Sequence, residues 1–454
     1  MSIPGLGQIP SKPTTAAIRK HVLQPLWEWR FEVSHGSSIT VRLVSGTAER
    51  DGTELALNVP YRFTGAKSKL LTWRGAEIEV EGDDCDEYVA EHTPAETPMT
   101  SYLNLHFLLQ SQRGQARVSG AHQGPRVLVC GPATSGKTSL VRMLTALATR
   151  VGEHPMAVNT DPSEGMLSLP GTLSAGVFAT IMDIEGEGGG WGGAPSSGPA
   201  AVPVKLPVVF CYGREKIEED VSLYKSLISR LAGAATARMA EDPAVRSAGM
   251  IIDTPGVNMS GKSGPEVLAH IVEEFSVNIV IVLGSARMNA ELLRRFGKEK
   301  TSLGEPISVV MLDKSEGVVE RDELFMQLLQ EAAVKEYFFG DAKRTLSPFT
   351  QQVDFDGVFI YKAPEPNAYL SEDETLERVD PSPSMQHWTL AVMNASVHDP
   401  PEVIQSATVM GFVYVADVDK DRRKLKVLAP VSARLGDRPL LWGRWPEPYI
   451  NLLG

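Results

Sequence analysis

The segment GPATSGKTSL, residues 131–140, follows the apolar run RVLVC and leads into VRMLTALATR. Its first eight residues match G-x-x-x-x-G-K-[ST] in full, and the flanks predict a strand before it and a helix after it. Gly131 and Gly136 let backbone N–H groups curl around a phosphate, and the helix that follows adds its positive N-terminal end. Lys137 supplies a mobile cation for β- and γ-phosphate oxygens, and Thr138 a hydroxyl ligand for Mg²⁺. A strand, phosphate loop and helix of this kind belong in a sheet of βα units, so the centre of the chain reads as a P-loop NTPase domain with a mainly parallel sheet.

The rest of the chain is organised around that centre. At 454 residues it is too long for one ordinary core. Residues 1–25 read as a flexible leader. Residues 26–105 carry short alternating runs (WEWRFEVSHG, SSITVRLVSG, RGAEIEVEG) with Gly-containing turns about every ten residues, which predicts an N-terminal β domain. In TSYLNLHFLLQSQRG the spacing of Leu103, Phe107 and Leu108 predicts a helix with those residues on its apolar face. The P-loop domain, 106–345, continues with the strands PMAVNTD, AGMIIDTPG, VNIVIVLG and PISVVML. Among its helices is one placing Val221, Tyr224, Ile228 and Leu231 on a single face. Its Gly-Ser-Pro run at about 185–201 predicts a flexible surface insertion. Residues 346–454 turn β-like again, with QHWTLAVMNA, a long hairpin over 411–431 and PLLWGRW.

Composition removes several function classes. The net charge of −12, from 56 acids against 44 bases, argues against tight nonspecific grip on nucleic acid. No apolar run approaches the ~18 residues that cross a bilayer, and the N-terminal stretch lacks a signal-peptide pattern. Three scattered cysteines form no disulfide framework, and nine scattered histidines give no zinc-ligand spacing. The basic stretch KDRRKLK, 420–426, reads as a solvated hairpin tip.

Two acids stand near the phosphate loop in this reading. Asp253 ends the apolar run GMIID, the position of an acid that holds the Mg²⁺ shell in P-loop proteins, or of any buried parallel strand reaching a turn. Asp161 follows the next strand, either as an acid aimed at a reacting hydroxyl or as the cap of an Asp-Pro turn. An N-K-x-D guanine loop is missing; LDKSEG, 312–317, is the nearest approach and lacks the Asn, so GTP is discounted.

GPRVLVCGPATSGKTSLVRML, VNTDPSEGMLSLPGTLSA, IIDTPGV and KSEGVVER…VKEYFFGD, in that order, resemble one family. It is the Clp subunit of the pre-mRNA cleavage and polyadenylation machinery, a branch of the polynucleotide 5′-hydroxyl kinases. The likeness extends to GTAERDGTELA and YRFTGAKSKLLTW near the start and GFVYVADVDKDRRKLKVLAPV near the end. The resemblance implies a β, P-loop, β order of domains and ATP with Mg²⁺ bound between the first two. The adenine would be held by Glu28 and Lys67, which the residues alone give as surface charges of a β domain. The phosphates would lie on Thr134, Ser135, Gly136, Lys137, Thr138 and Ser139. It also implies nuclear work in mRNA 3′-end formation. The implied partner, docking on the central domain, is the cleavage-factor subunit that contacts the RNA polymerase II tail.

Active members of that branch transfer the γ-phosphate of ATP to an RNA 5′-hydroxyl, and Asp161 matches their acid. This chain departs from them in three ways. Glu164 stands where they carry Gln. Val257 stands where a Trp would stack on an RNA base, a contact worth ~1–3 kcal/mol. The lid before EYFFG keeps Arg321 and then lacks arginine, and a lid arginine is worth ~10³-fold or more in phosphoryl transfer. The expectation is a structural subunit that holds ATP without efficient turnover. The alternatives are an active RNA 5′-hydroxyl kinase and an ATPase switch driving partner release.

Overall fold

The computed structural model describes residues 18–452 except 83, 95, 121, 187–189, 193–194, 198–201, 258, 260, 262, 342, 365–375, 432–434 and 449–450. By contacts the chain forms two compact units, one reaching Arg50 and resuming over Glu54–Thr93, the other Asp51–Thr53 with Pro94 onward.

The first unit is built from alternation. Val41 and Leu43 on one strand and Ile78 and Val80 on another are buried, with more exposed residues between them. A four-stranded sheet runs in the order Ile18–Leu23, Ala76–Glu81, Ser38–Gly46, Pro60–Thr64. A second sheet pairs Glu28–Val33 with both Lys67–Leu71 and Cys85–Ala90. The sheets meet through Phe31 and Phe63, whose rings lie 5.0 Å apart, with Trp29 stacked on Phe31 at 4.5 Å. The leader reading is corrected here: Ile18–Leu23 lies inside residues 1–25 and pairs along its whole length with Ala76–Glu81, supported by a 2.9 Å Lys20–Glu79 ion pair. Residues 1–17 lie outside the described residues.

The second unit begins with helix α1, Met99–Ser119, so the expected boundary at 105/106 falls inside a continuous helix. Its buried face carries Tyr102, Leu105, His106, Leu109 and Arg113, while Phe107 and Leu108 are exposed, which turns the apolar face from the one the spacing suggested. The phosphate loop then joins β1, Arg126–Cys130, to α2, Lys137–Arg150. The sheet continues with β2, Met156–Asn159, and with β3, Thr172–Phe178, and β4, Val204–Cys211. Beyond α3, Val221–Glu241, come β5, Met250–Asp253, and α4, Ser263–Glu274. The series closes with β6, Ile279–Leu283, α5, Ala286–Phe296, β7, Ser308–Leu312, and α6, Glu323–Phe339. The strand order is β4-β3-β2-β5-β1-β6-β7, parallel from β2 to β7, with β3 and β4 added antiparallel. The sequence reading missed those last two. The α3 face holds as expected: Tyr224, Ile228 and Leu231 are fully buried, each worth ~1.5–3 kcal/mol of burial.

A seven-stranded C-terminal sheet completes this unit and includes the expected hairpin, Val409–Asp419 with Lys424–Ala429. It shares one core with the P-loop sheet: Leu169, Cys211, Tyr337 and Phe338 cluster with Ile404, Phe412 and Tyr414. The separate domain expected from 346 is therefore packed into the same body. In the basic hairpin stretch Arg423 pairs with Asp356 at 2.9 Å and Lys424 with Asp354 at 2.6 Å. The Gly-Ser-Pro insertion is corrected too. Trp191 is 3 % exposed and sits edge-on to Phe178 at 5.4 Å, and Ser196 hydrogen-bonds Tyr337 at 2.9 Å. These described positions of the run are packed; residues 187–189, 193–194 and 198–201 lie outside the described residues.

Tyr337 Oη also accepts from Phe412 N at 2.8 Å, joining α6, the insertion and the C-terminal sheet. Tyr337→Phe leaves that buried N–H unpaired and is expected to cost ~1–3 kcal/mol. Urea denaturation of the two proteins measures it; equal midpoints would show that this hydroxyl does not hold the three elements.

Candidate functional site

The site forms at the carboxyl ends of β1, β2 and β5, the edge where α/β sheets bind ligands. Val129 and Asn159 both lie in register with Asp253. Gly131 has no room for a side chain: a Cβ there would stand 2.6 Å from Ser135 Oγ and 2.8 Å from the Leu283 carbonyl. Gly136, the residue before α2, has φ +87°, and Thr134 is also left-handed at φ +52°. Ser135 Oγ donates to the Pro132 carbonyl at 2.9 Å, and Lys137 Nζ donates to the same carbonyl at 2.9 Å. The loop is thus fixed by its own bonds, and its lysine is held inside the curl. Ser139 follows Thr138 in the first turn of α2.

Thr138 Oγ1 donates to Asp253 Oδ2 at 2.6 Å. Asp253 Oδ1 is buried and has no partner. Thr160 binds the Asp253 carbonyl through its N–H at 3.0 Å and its hydroxyl at 2.6 Å, which ties the end of β5 to the end of β2. Tyr224 of α3 donates to the Thr160 carbonyl at 2.7 Å and fixes the turn from behind. Beyond that turn, Asp161 accepts from Ser163 N at 2.9 Å and Ser163 Oγ at 2.7 Å. It therefore makes the turn that the Asp-Pro reading expected, and it lies within electrostatic reach of Lys137. The packed surroundings push its pKa up, the Ser163 bonds oppose this, Glu164 adds to the rise and Lys137 opposes it.

Val257 is 4 % exposed and packs in the main core with Leu268, so that position presents no stacking face. Glu164 and Arg321 form an ion pair at 2.8 Å. This pairing was not legible from sequence, because 157 residues separate its partners. Glu28 and Lys67 belong to the N-terminal unit. Glu28 is 1 % exposed, not a surface charge, and pairs with Arg30 at 2.8 Å and with Lys69. Its burial works to raise the pKa, but Lys69 and Arg30 outweigh it and hold the carboxyl below its usual range. Lys67 pairs with Glu32 at 3.0 Å. Among the described residues no group of three His, Cys, Asp or Glu side chains is arranged to hold a metal, and no helix is long and apolar enough to cross a membrane.

Fold and loop together define a P-loop nucleotide-binding protein, with β-rich segments before and after the P-loop segment along the chain. Residues 131–340 match the P-loop domain of mRNA cleavage and polyadenylation factor CLP1. Residues 22–116 match the N-terminal β-sandwich domain of polyadenylation factor, and residues 346–447 match pre-mRNA cleavage complex II protein Clp1. A protein of Pyricularia oryzae named mRNA cleavage and polyadenylation factor CLP1 is 58% identical over 460 residues, covering 100% of both chains. One from Chaetomium globosum with the same name is 52% identical, also over 100% of both chains. The wild-type Clp1p–Pcf11p complex contains a similar chain, with TM-score 0.83 and 29% identity over 94% of this chain and 98% of that one. A second structure, at the same TM-score, concerns an extended Pcf11p–Clp1p interface and the basis of ATP loss in a glycine-to-arginine point mutant. The chain belongs to the CLP1 family of mRNA cleavage and polyadenylation factors.

Burial pushes the Asp253 carboxyl up to about 7, with the Thr138 bond opposing the rise and Asp161 adding to it. Its ordinary value is 3.8, so the folded protein keeps a proton that the unfolded chain has released. In metal-free buffer, folding therefore weakens as pH rises from about 4 to about 7 and then levels off. Asp253→Asn is expected to add a few kcal/mol at about pH 8 and less at about pH 5, read by urea denaturation with EDTA present. An equal gain at both pH values would mean that Asp253 does not carry this proton.

Proposed function

We propose that this protein is an ATP-binding structural subunit of the pre-mRNA 3′-end cleavage and polyadenylation machinery, one that holds ATP without efficient turnover. The carrying observation is a complete phosphate loop beside a reaction edge stripped of its usual additions. Lys137, Thr138 and the loop N–H groups would hold the phosphates, with Thr134, Ser135, Gly136 and Ser139 shaping the cradle. The unpartnered Asp253 Oδ1 next to the Thr138 hydroxyl fits a Mg²⁺ ion, held through water at Asp253. When bound, that ion would neutralise charge between the β- and γ-phosphates. Glu28 and Lys67 are assigned the adenine by family resemblance; an exchange of their present ion pairs would have to accompany that role.

Lack of turnover follows from what faces the phosphates. Phosphoryl transfer needs cations over the γ-phosphate as charge develops there. Arg321 is instead matched to Glu164, and Val257 offers nothing for an RNA base to stack on. Bound ATP would then serve the fold: a ligand at about 100 times its Kd stabilises the native state by ~2.7 kcal/mol. The relatives' names and the Clp1p–Pcf11p complex support a nuclear role and a Pcf11-like cleavage-factor partner, which on this reading docks on the central domain. That partner would be the one that contacts the RNA polymerase II tail.

The second reading, an RNA 5′-hydroxyl kinase, has one observation in its favour. Asp161 stands near Lys137 with a raised pKa, as a general base would. Two measurements separate the readings. Mass analysis of nucleotide released from the purified, denatured protein is expected to give intact ATP near one per chain, and almost none from Lys137→Ala. Incubation with 5′-hydroxyl RNA and γ-labelled ATP is expected to leave the RNA unlabelled. Strong labelling that Lys137→Ala abolishes would establish the kinase instead, and released ADP would point to turnover.

A further inference from the structure

The segment between β7 and α6 runs across the phosphate loop and is fastened on both sides of it. On the near side, Lys314 packs on Gly284, where a Cβ would stand 3.1 Å from the lysine Cβ. Ser315 is buried and accepts from Gly317 N at 3.2 Å through its hydroxyl and from Val318 N at 3.2 Å through its carbonyl. In the middle, Val318 Cγ2 lies 3.0 Å from the place a Gly136 Cβ would take, directly on the phosphate loop. On the far side, Arg321 Nη1 donates to Glu164 Oε1 at 2.8 Å. Asp322 then caps α6 by accepting from Phe325 N, and Gln330, two turns on, donates to the Ser163 carbonyl at 3.2 Å.

We propose that residues 315–321 form a strap across the phosphate loop, that the Glu164–Arg321 ion pair is its latch, and that the latch slows nucleotide release. The proposal rests on the ATP-holding reading and gives Glu164 a task there. Both latch partners are about one-third exposed, so the pair forms and breaks without unfolding α6. The remaining anchors keep the strap in register when it opens. Latch opening swings Val318 off Gly136 and uncovers the loop. The same pairing explains how a chain with a single arginine in the 313–331 segment keeps its strap closed: the counter-charge comes from the protein, not from the nucleotide.

The test uses the full chain with Glu164→Gln, Arg321→Gln and the charge swap Glu164→Arg/Arg321→Glu. The dissociation rate of a methylanthraniloyl ATP, chased with excess ATP, is expected to rise about three- to five-fold in each single variant, the scale an exposed ion pair supports. In the swap it should return close to wild type. Raised salt should speed release from wild type and leave the single variants nearly unchanged. Backbone hydrogen exchange over 315–330, measured without nucleotide, should quicken in the single variants and recover in the swap. Unchanged exchange would remove the latch, whatever the nucleotide does. Quickened exchange with unchanged dissociation would leave a structural ion pair and overturn its control of release. A wild-type protein that binds no analogue would sink the ATP-holding reading and with it any role in release, while the exchange result would still decide whether the latch exists.

Discussion

One buried carboxylate organises the working edge of this molecule. Asp253 ends a strand that pairs with β1 on one side and β2 on the other, and its two neighbours carry the phosphate loop and the Asp161 turn. Inside the protein, where charge is poorly solvated, the carboxylate is held by one hydroxyl, that of Thr138. A lone hydrogen bond is too little to stabilise a buried charge, and the raised pKa records that imbalance. One of its two oxygens, Oδ1, is left without a hydrogen-bond partner beside the phosphate loop. Everything near it, from Tyr224 bracing Thr160 to Ser163 bracing Asp161, keeps the backbone from relaxing to satisfy Asp253 by other means.

Around that centre both cations have partners within the protein. Lys137 is bonded to a carbonyl of its own loop, and Arg321 is matched by Glu164. Catalysis of phosphoryl transfer depends on cations aimed at charge that appears only in the transition state. An arginine already neutralised by a carboxylate has little left to give at that moment. The same pairing fits the proposed retention of ATP, in which the strap is held by charges of the protein itself.

Much of the fold was legible in particular residues. GPATSGKT between RVLVC and VRMLTALATR gave strand, loop and helix where they occur, and the α3 face of Tyr224, Ile228 and Leu231 was set by helical spacing. The misses have physical causes. TLSAGVF and VKLPVVFC sit beside loop-like composition, so β3 and β4 passed unread, and their antiparallel pairing depends on a neighbour that local pattern does not name. Phe107 and Leu108 satisfied helical spacing, yet α1 turns Leu105 and Leu109 inward because its neighbours pack on that side. Trp191 lay within a glycine-rich run, and average composition hid its burial against Phe178.

The sequence by itself determined the phosphate loop, the acid at the end of β5 and a valine at 257, each a matter of residue type at fixed local spacing, and the family through its resemblance. Tertiary structure alone decided which charges meet. Glu164 and Arg321 are 157 positions apart, and nothing in the chain pairs the first with the second or Glu28 with Lys69. Whether such a charge is free to act on a ligand depends on its distance to an opposite charge, and only the folded arrangement of strands and helices fixes that distance.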